Sequence, residues 1–205
     1  TCNATSNTVT IEVIPSAASG TISGAGTVCF GTNNSELILS GYSGSIQWQS
    51  SEDNVTFTDI DGATEPNYFA FDLTTTTYYK AILTTNCGTA TTAIATITVN
   101  RPSDAGSIAD VPTVCYGTNS TTLTVSNNVG TIQWQTSLDD INYSNIPSAT
   151  STSYTVTNLT TTTYYRTAVT NSPCDVAYSL GMPIVVQSTP TAGAIGSDQT
   201  INNAG

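Results

Sequence analysis

The chain repeats itself, and this constrains its fold more than any other feature. Residues 27–86 align without a gap on residues 113–172, and 27 of the 60 aligned positions are identical. The shared blocks are TVC(F/Y)GTN, which begins at Thr27 and Thr113, IQWQ at Ile46 and Ile132, and LTTTTYY at Leu73 and Leu159. Self-similarity at a fixed period indicates a tandem array of one structural unit. The offset of 86 residues therefore predicts a fold that closes within about that length.

Offsets of 86 residues at the first end and 87 at the second predict the boundaries of the modules. Residues 9–13 repeat the apolar spacing of residues 95–99, and residues 192–195 match residues 105–108. Both ends of the chain therefore look like parts of further modules. The predicted division is residues 1–16 as the last strand of a preceding module, 17–103 as module 1, 104–190 as module 2, and 191–205 as the first strand of a following module.

The apolar residues alternate with polar ones in short runs, which is the period of a β-strand. Runs such as IQWQ and TITV consist largely of Thr, Val, Ile and aromatic residues, which favour pleated sheet. Each module contains seven or eight such runs, separated by turn signals, and this spacing is typical of an immunoglobulin-like sandwich. In module 1, two of the predicted strands are residues 55–60 and 91–99. The predicted fold is all-β, with tandem immunoglobulin-like β-sandwiches of about 86 residues each.

Strand alternation predicts a core for each module. Trp48 and Trp134 occupy the place of the central-strand tryptophan of an immunoglobulin-like fold. Tyr79 and Tyr165 belong to the LTTTTYY blocks, which resemble the turn into the penultimate strand, where a tyrosine closes a corner. These four aromatic residues are the predicted centres of the two cores.

The five cysteines predict two disulfides. Cys29 and Cys87 are 58 residues apart, Cys115 and Cys174 are 59 apart, and each pair occupies equivalent places in its module. The expected bonds are Cys29–Cys87 and Cys115–Cys174, each closing one pole of a sandwich, and Cys2 would pair with a residue outside this sequence. Free buried thiols are the alternative. Disulfides of this kind indicate an oxidising, extracellular location.

Composition excludes several classes of function. Only Lys80, Arg101 and Arg166 are basic, against fourteen acidic residues, and the net charge is −11. Such a chain cannot neutralise a phosphate backbone, and an anionic membrane surface repels it. The sequence has no histidine, so it lacks the usual general base at neutral pH and the commonest zinc ligand. Neither nucleic-acid binding, nor membrane insertion, nor a cofactor, nor catalysis is predicted.

An acidic turn is a candidate calcium site in module 1. Glu52, Asp53, Asp59 and Asp61 could supply carboxylate oxygens to Ca²⁺. However, the turn lacks the D-x-[DN]-x-[DN]-G pattern, and module 2 does not keep the later two acidic residues. Solvated turn carboxylates are therefore the favoured interpretation, and no metal is predicted.

Two phenylalanines are candidate contacts for a glycan. Phe69 and Phe71 share one face of a predicted strand, and module 2 has Thr155 and Thr157 at the same positions. An exposed aromatic pair could stack on a sugar ring. The alternative is that the two rings pack at an edge or against a neighbouring module.

The combined motifs resemble a known class of repeats. TVC-x-G-T-N is followed by IQWQ, an Asp-containing turn, A-T-x-x-x-Y and LTTTTYY(K/R), and the pattern covers essentially the whole chain. It resembles the immunoglobulin-like repeats of very large cell-surface proteins of Bacteroidetes, which include gliding-motility adhesins exported by the type IX secretion system. The resemblance implies secreted, surface-attached fibres or adhesins of many modules, and it supplies no catalytic residues.

The sequence therefore predicts a structural or adhesive section of a long extracellular fibre. Its partners would be neighbouring immunoglobulin-like modules of the same chain or fibre, with a surface polysaccharide as a further candidate. Two alternatives stay open. Each repeat could be a glycan-binding module, or the chain could be a filament subunit in which residues 8–14 complete a neighbour's sandwich by strand exchange.

Overall fold

The computed structural model describes residues 2, 9, 11–13, 15–188 and 196. All named elements in this part of the chain are β-strands. It contains no helix with the length and apolar character that a membrane crossing requires. Contacts divide the chain into two compact units. The first comprises Thr1–Ser103 with Thr170–Val176, and the second comprises Asp104–Val169 with Ala177–Gly205.

The first unit contains two sheets. Its strands are β1 (Ala18–Ser23), β2 (Thr27–Cys29), β3 (Asn34–Ser43), β4 (Ser45–Ser51), β5 (Thr58–Asp59), β6 (Asn67–Phe71), β7 (Thr77–Thr85), β8 (Gly88–Thr91) and β9 (Ala95–Asn100). One sheet has the order β1-β3-β6, and the other has the order β2-β9-β7-β4-β5, with β8 also paired to β7. Strand β2 runs parallel to β9, whereas β7 is antiparallel to both β4 and β9.

The second unit repeats this arrangement. Its strands are β10 (Ser107–Ile108), β11 (Val114–Cys115), β12 (Ser120–Ser126), β13 (Thr131–Ser137), β14 (Ser144–Asn145), β15 (Ser153–Thr157), β16 (Thr163–Thr170), β17 (Ala177–Tyr178), β18 (Met182–Ile184) and β19 (Val186–Gln187). One sheet has the order β10-β12-β15, and another has the order β14-β13-β16-β17, with β18 also paired to β16. The parallel pair β11-β19 corresponds to β2 and β9 of the first unit.

Each unit has its own core around a tryptophan. The side chains of Trp48 and Trp134 are fully buried. The indole N–H of Trp48 donates to the backbone oxygen of Glu65 at 2.9 Å, and that of Trp134 donates to Ser151 O at 2.9 Å. Because each indole is both buried and hydrogen-bonded, neither core leaves this polar group without a partner. Alternating residues of the surrounding strands complete each core.

Tyr79 and Tyr165 lie in these cores beside a second tyrosine. The ring of Tyr68 lies 5.8 Å from Trp48 and 5.5 Å from Tyr79, between centroids. Burial raises the pKa of Tyr79 to about 12, with a further increase from Tyr68 and an opposing hydrogen bond to Thr77. Burial also raises the pKa of Tyr165. All these hydroxyls are therefore neutral at physiological pH.

Two strands predicted in the first module are shorter than expected. The predicted strand 55–60 contracts to Thr58–Asp59, because Asp53 closes a turn with the backbone of Val55 and Thr56. The predicted strand 91–99 is split between β8, which ends at Thr91, and β9, which begins at Ala95. Between them, the hydroxyl of Thr92 accepts from Ala81 N–H and the N–H of Thr92 donates to Ala81 O, both at 3.0 Å. Local side-chain bonds of this kind compete with the sheet ladder.

The hairpin between β3 and β4 requires a glycine. Gly44 has a φ of +114°, and a Cβ there would lie 2.7 Å from the backbone oxygen of Thr84. Only glycine adopts such a backbone without strain. Gly130 occupies the same position in the second repeat, with a φ of +121°.

The predicted fold class, all-β with tandem immunoglobulin-like sandwiches, is confirmed. The described part of residues 1–16 carries no strand, and Val9, Ile11 and Val13 are exposed there. Of residues 191–205, only Gly196 lies within the described residues. The two flanking strands therefore stay predictions.

Candidate functional site

A disulfide joins Cys29, the last residue of β2, to Cys174 in the loop after β16. The two Cα atoms are 4.9 Å apart, although 145 residues separate them in the sequence. The bond lies within the first unit, which includes Thr170–Val176. The predicted pairs Cys29–Cys87 and Cys115–Cys174 are therefore wrong, because each contains one cysteine of the observed bond. The predicted pairing of Cys2 with a residue outside this sequence stays a prediction.

The register of the large sheet explains the error. Cys29 lies beside Asn100 at the end of β9, and the neighbouring β7 begins at this end, with Thr77 beside Ile97. Cys87 follows the far end of β7, whose nine residues cover roughly 26 Å. A disulfide needs Cα atoms within about 7 Å. The two cysteines of the first repeat thus lie at opposite ends of the sheet, not at one pole.

The second repeat has the same geometry. Cys115 lies beside Gln187 at the end of β19. Strand β16 starts near this end, because Thr163 pairs with Ile184. Cys174 follows the other end of β16. Each repeat therefore carries one cysteine near each end of its sheet.

Hydrogen bonds hold the Cys174 loop in the first unit. The side-chain amide of Asn100 donates to Ser172 O at 2.6 Å, and that of Asn171 donates to Arg101 O at 2.8 Å. The backbone N–H of Asn171 also donates to the hydroxyl of Ser103 at 2.8 Å. The loop is thus fixed by specific polar contacts as well as by the covalent bond.

An asparagine fixes the backbone at the first cysteine of each repeat. Asn33 donates to Cys29 O at 2.6 Å and to Leu73 O at 2.8 Å, and it accepts from Leu73 N at 3.0 Å. Asn119 makes the same three bonds in the second repeat, including one to Cys115 O at 2.7 Å. The GTN block shared by the repeats therefore positions both cysteines in the same way.

Phe69 and Phe71 form an exposed stacked pair on β6. Their ring centroids are 6.1 Å apart with an interplanar angle of 15°, and the residues are 48% and 59% exposed. In the second repeat, Thr155 lies at the position of Phe69, and its hydroxyl is 3.0 Å from that of Thr122. The flat aromatic surface is thus a property of the first repeat, and the second repeat has hydroxyls in its place.

Asp53 closes the turn after β4. One carboxylate oxygen accepts from the N–H of Thr56 at 2.7 Å, from the hydroxyl of Ser51 at 2.7 Å and from the N–H of Val55 at 2.8 Å. These donors, led by Thr56 N–H, hold the pKa of Asp53 well below its usual range. Asp139 closes the equivalent turn, and donors led by the backbone N–H of Asn142 lower its pKa in the same way.

The calcium interpretation has no support in the structure. Within the described ranges, no three His, Cys, Asp or Glu side chains form a group that could hold a metal ion. This includes Glu52, Asp53, Asp59 and Asp61. The carboxylate of Asp59 accepts from the amide of Gln49 at 2.7 Å, and that of Asp53 is occupied by its own turn.

A hollow with hydroxyls in its lining recurs beside this turn. It has a volume of about 410 Å³ next to Ser51 and about 460 Å³ next to Ser137. Ser51 and Ser137 donate to Asp53 and Asp139, respectively. A carboxylate with a lowered pKa is a poor general base at neutral pH. These serine–aspartate pairs therefore stabilise the two turns.

Aromatic rings cover two of the basic side chains. Lys80 Nζ lies 4.0 Å from the ring centre of Phe57. The guanidinium of Arg166 lies 3.9 Å from the ring centre of Tyr143 and 4.4 Å from that of Tyr178. Cations over aromatic faces stabilise a surface by roughly 0.5–1 kcal/mol per exposed pair. Sequence reasoning missed these contacts, although the basic residues and their first aromatic partners share the 86-residue offset.

Comparison with known structures supports the same fold. Three domains of titin, A168–A170, match with a TM-score of 0.53 at 17% identity, covering 80% of this chain and 62% of the titin chain. The crystal structure of the mouse coronavirus receptor-binding domain complexed with its murine receptor matches with a TM-score of 0.51 at 16% identity, covering 78% and 96%. At these identities the likeness shows the fold alone. No curated protein matches the chain.

A family model matches most of the sequence. The family is described as a domain of unknown function, DUF8696, and the model matches residues 18–101 and again residues 104–188. These two matches correspond to the two sequence repeats. The structure gives each repeat an immunoglobulin-like sandwich. The chain therefore belongs to the DUF8696 family and contains two copies of its domain in tandem.

Proposed function

We propose that this chain is a structural and adhesive section of a long extracellular fibre made of head-to-tail immunoglobulin-like domains, with no catalytic activity. The observation that carries the proposal is the Cys29–Cys174 disulfide. Its two cysteines belong to successive copies of the family domain. Tension applied along the chain would pass through this bond, so the residues between the two cysteines would be shielded from extension even if a domain lost its fold.

Chemistry favours a location outside the cytoplasm. Disulfides persist in oxidising environments and are rare where thiols are kept reduced. The net charge of −11 and the abundance of Thr and Ser favour solubility and resist nonspecific association. We therefore assign the fibre to the cell surface or to the extracellular space.

The sequence motifs support a narrower assignment. Their resemblance to Bacteroidetes surface repeats favours a fibre of that class, exported by the type IX secretion system. In such a fibre, residues 1–16 and 191–205 would be strands of adjoining domains. The partners of the chain would then be neighbouring copies of the same domain.

The intact mass of the polypeptide in its native source tests this proposal, under reducing and non-reducing conditions. A reduced mass far above the 21.2 kDa of this chain is expected for a fibre with many domains. A reduced mass near 21.2 kDa would contradict it. Multimers of that species on a non-reducing gel would instead favour a filament subunit.

Strand exchange is the alternative that this second outcome would favour. Val9, Ile11 and Val13 are 82%, 85% and 87% exposed, which is unusual for alternating apolar residues. A segment of this kind could complete the sandwich of a neighbouring copy by strand addition.

Glycan binding is a second candidate function, favoured by the stacked and exposed pair Phe69 and Phe71. A glycan array probed with the chain would test it. The double change Phe69→Ala and Phe71→Ala should abolish binding to a surface polysaccharide. The matched control is Thr155→Ala with Thr157→Ala, at the same positions of the second repeat, which should leave binding unchanged. Equal signals from both double variants, or no signal from the original chain, would refute the candidate.

A further inference from the structure

The first cysteine of the second repeat lies in the same backbone frame as the bonded cysteine of the first. Cys29 pairs with Asn100 in a parallel register, and Cys115 pairs with Gln187 in the same way. The next residue donates its N–H to the same strand in both cases, Phe30 to Asn100 O at 2.8 Å and Tyr116 to Gln187 O at 2.9 Å. With the asparagine bonds described above, the two cysteines are held alike.

In the first unit, the loop that carries Cys174 lies beside Cys29 and the end of β9, and this loop belongs to the second family domain. The amide of Asn100 and the backbone oxygen of Arg101 contact the loop, in addition to the disulfide. In the second repeat, Gln187 and Ser188 stand at these two positions. Gln187 retains a carboxamide donor, and Ser188 retains a backbone acceptor. Cys115 therefore has counterparts of two docking groups beside it, whereas the hydroxyl of Ser103 has no counterpart in the aligned Pro190.

Cys115 itself is an exposed thiol. The second cysteine of its own repeat, Cys174, is bonded to Cys29 and follows the opposite end of the sheet. No cysteine of the same domain copy can therefore reach Cys115. The partner of Cys115 would therefore be a cysteine of another domain copy, in a loop that resembles residues 171–176.

We propose that Cys115 is the docking and bonding site for the cysteine-bearing loop of a following copy of the same domain. The inference rests on the proposed fibre and adds a mechanism to it. Each of the two domain copies in this chain would then bond its first cysteine to the loop of the next copy, and the two disulfides would overlap along the fibre. The bond forms by oxidation of two thiols to one disulfide. Two electrons and two protons pass to a disulfide oxidant, such as oxidised glutathione, which becomes two thiols.

A peptide experiment tests this site on the chain as it exists. The probe is a peptide with the sequence of residues 171–176, Asn-Ser-Pro-Cys-Asp-Val, in a glutathione redox buffer. Mass spectrometry of the digested protein measures the mixed disulfide at Cys115 and at Cys2, which is another exposed thiol. A peptide of the same composition in scrambled order is the control.

The ratio of coupling at Cys115 to coupling at Cys2 should be about ten times higher for the native peptide than for the scrambled one. The reason is that only the native peptide can form the two docking hydrogen bonds. Gln187→Ala should remove most of this preference, and Gln187→Asn should retain part of it. Because Gln187 is exposed, neither change should disturb folding.

Equal coupling of the two peptides at Cys115, or equal preference in the original chain and in Gln187→Ala, would overturn the proposal. Neither result would contradict the proposed fibre if the native polypeptide is far larger than 21.2 kDa. A small native polypeptide would refute the fibre whatever the peptide does. The two failures are therefore distinguishable.

Discussion

Breaking the Cys29–Cys174 bond should lengthen the unfolded chain by a defined amount. If the chain is pulled from its two ends, the 145 residue steps between these cysteines cannot extend while the bond is intact. An extended residue spans at most about 3.3–3.6 Å, so the hidden length is about 500 Å. Cys29→Ser should release this length when both units are unfolded by force.

The same change should lower the free energy of unfolding. A crosslink restricts the unfolded chain, and the entropy model for a loop of 145 residues gives about 5 kcal/mol as an upper value. Guanidinium chloride denaturation of the oxidised chain and of Cys29→Ser measures the difference. Cys115→Ser is the matched control at the equivalent position of the second repeat. Because Cys115 is an exposed thiol, its replacement should change stability by less than about 0.5 kcal/mol.

Single-molecule force spectroscopy distinguishes the observed bond from the pairing inferred from sequence. A Cys29–Cys87 bond would close a loop of 58 residues and hide only about 200 Å. A gain of about 200 Å on replacing Cys29 would therefore refute the connectivity described above. The absence of any gain would refute the bond altogether. A single gain of about 500 Å is the expected result.

Three further changes test the cores and turns. Trp48→Ala should destabilise the first unit by about 3–5 kcal/mol, since it removes a fully buried side chain and the partner of Glu65 O; denaturation followed by circular dichroism checks this, with Trp134 fluorescence as the reporter of the second unit, and a loss below about 1 kcal/mol would contradict it. Asn33→Ala removes three hydrogen bonds and should cost about 2–3 kcal/mol in the same assay, so an unchanged midpoint would refute its role. Asp53 has a folded-state pKa below its ordinary value of 3.8, so its stabilising effect is present above about pH 4 and is lost as the pH falls through the lower folded pKa. Asp53→Asn should therefore flatten the loss of stability between neutral and acidic pH, and an identical acid profile for both proteins would contradict this.

Local patterns in the sequence determined the fold class. Alternation is a property of each strand by itself, so the runs around Trp48 and Trp134 indicated strands and their buried faces without knowledge of the partners. The 86-residue offset likewise indicated the repeated unit before any contact was known. The strand bounds were less accurate where side chains bond the local backbone. Asp53 and Thr92 shorten or divide predicted strands in this way, and alternation carries no signal for such bonds.

The connectivity of the cysteines was decided by tertiary structure alone. Equivalent spacing in the two repeats showed that Cys29 and Cys115 correspond, and it suggested a bond within each repeat. Which end of a sheet a residue occupies depends on the direction and order of all its strands, and neither is encoded in spacing. The parallel pairing of β2 with β9 puts Cys29 at one end, and the antiparallel β7 carries the chain to the other end before Cys87. The sequence by itself thus determined the repeated sandwich, whereas only the tertiary structure showed that its first cysteine bonds a residue of the following domain copy.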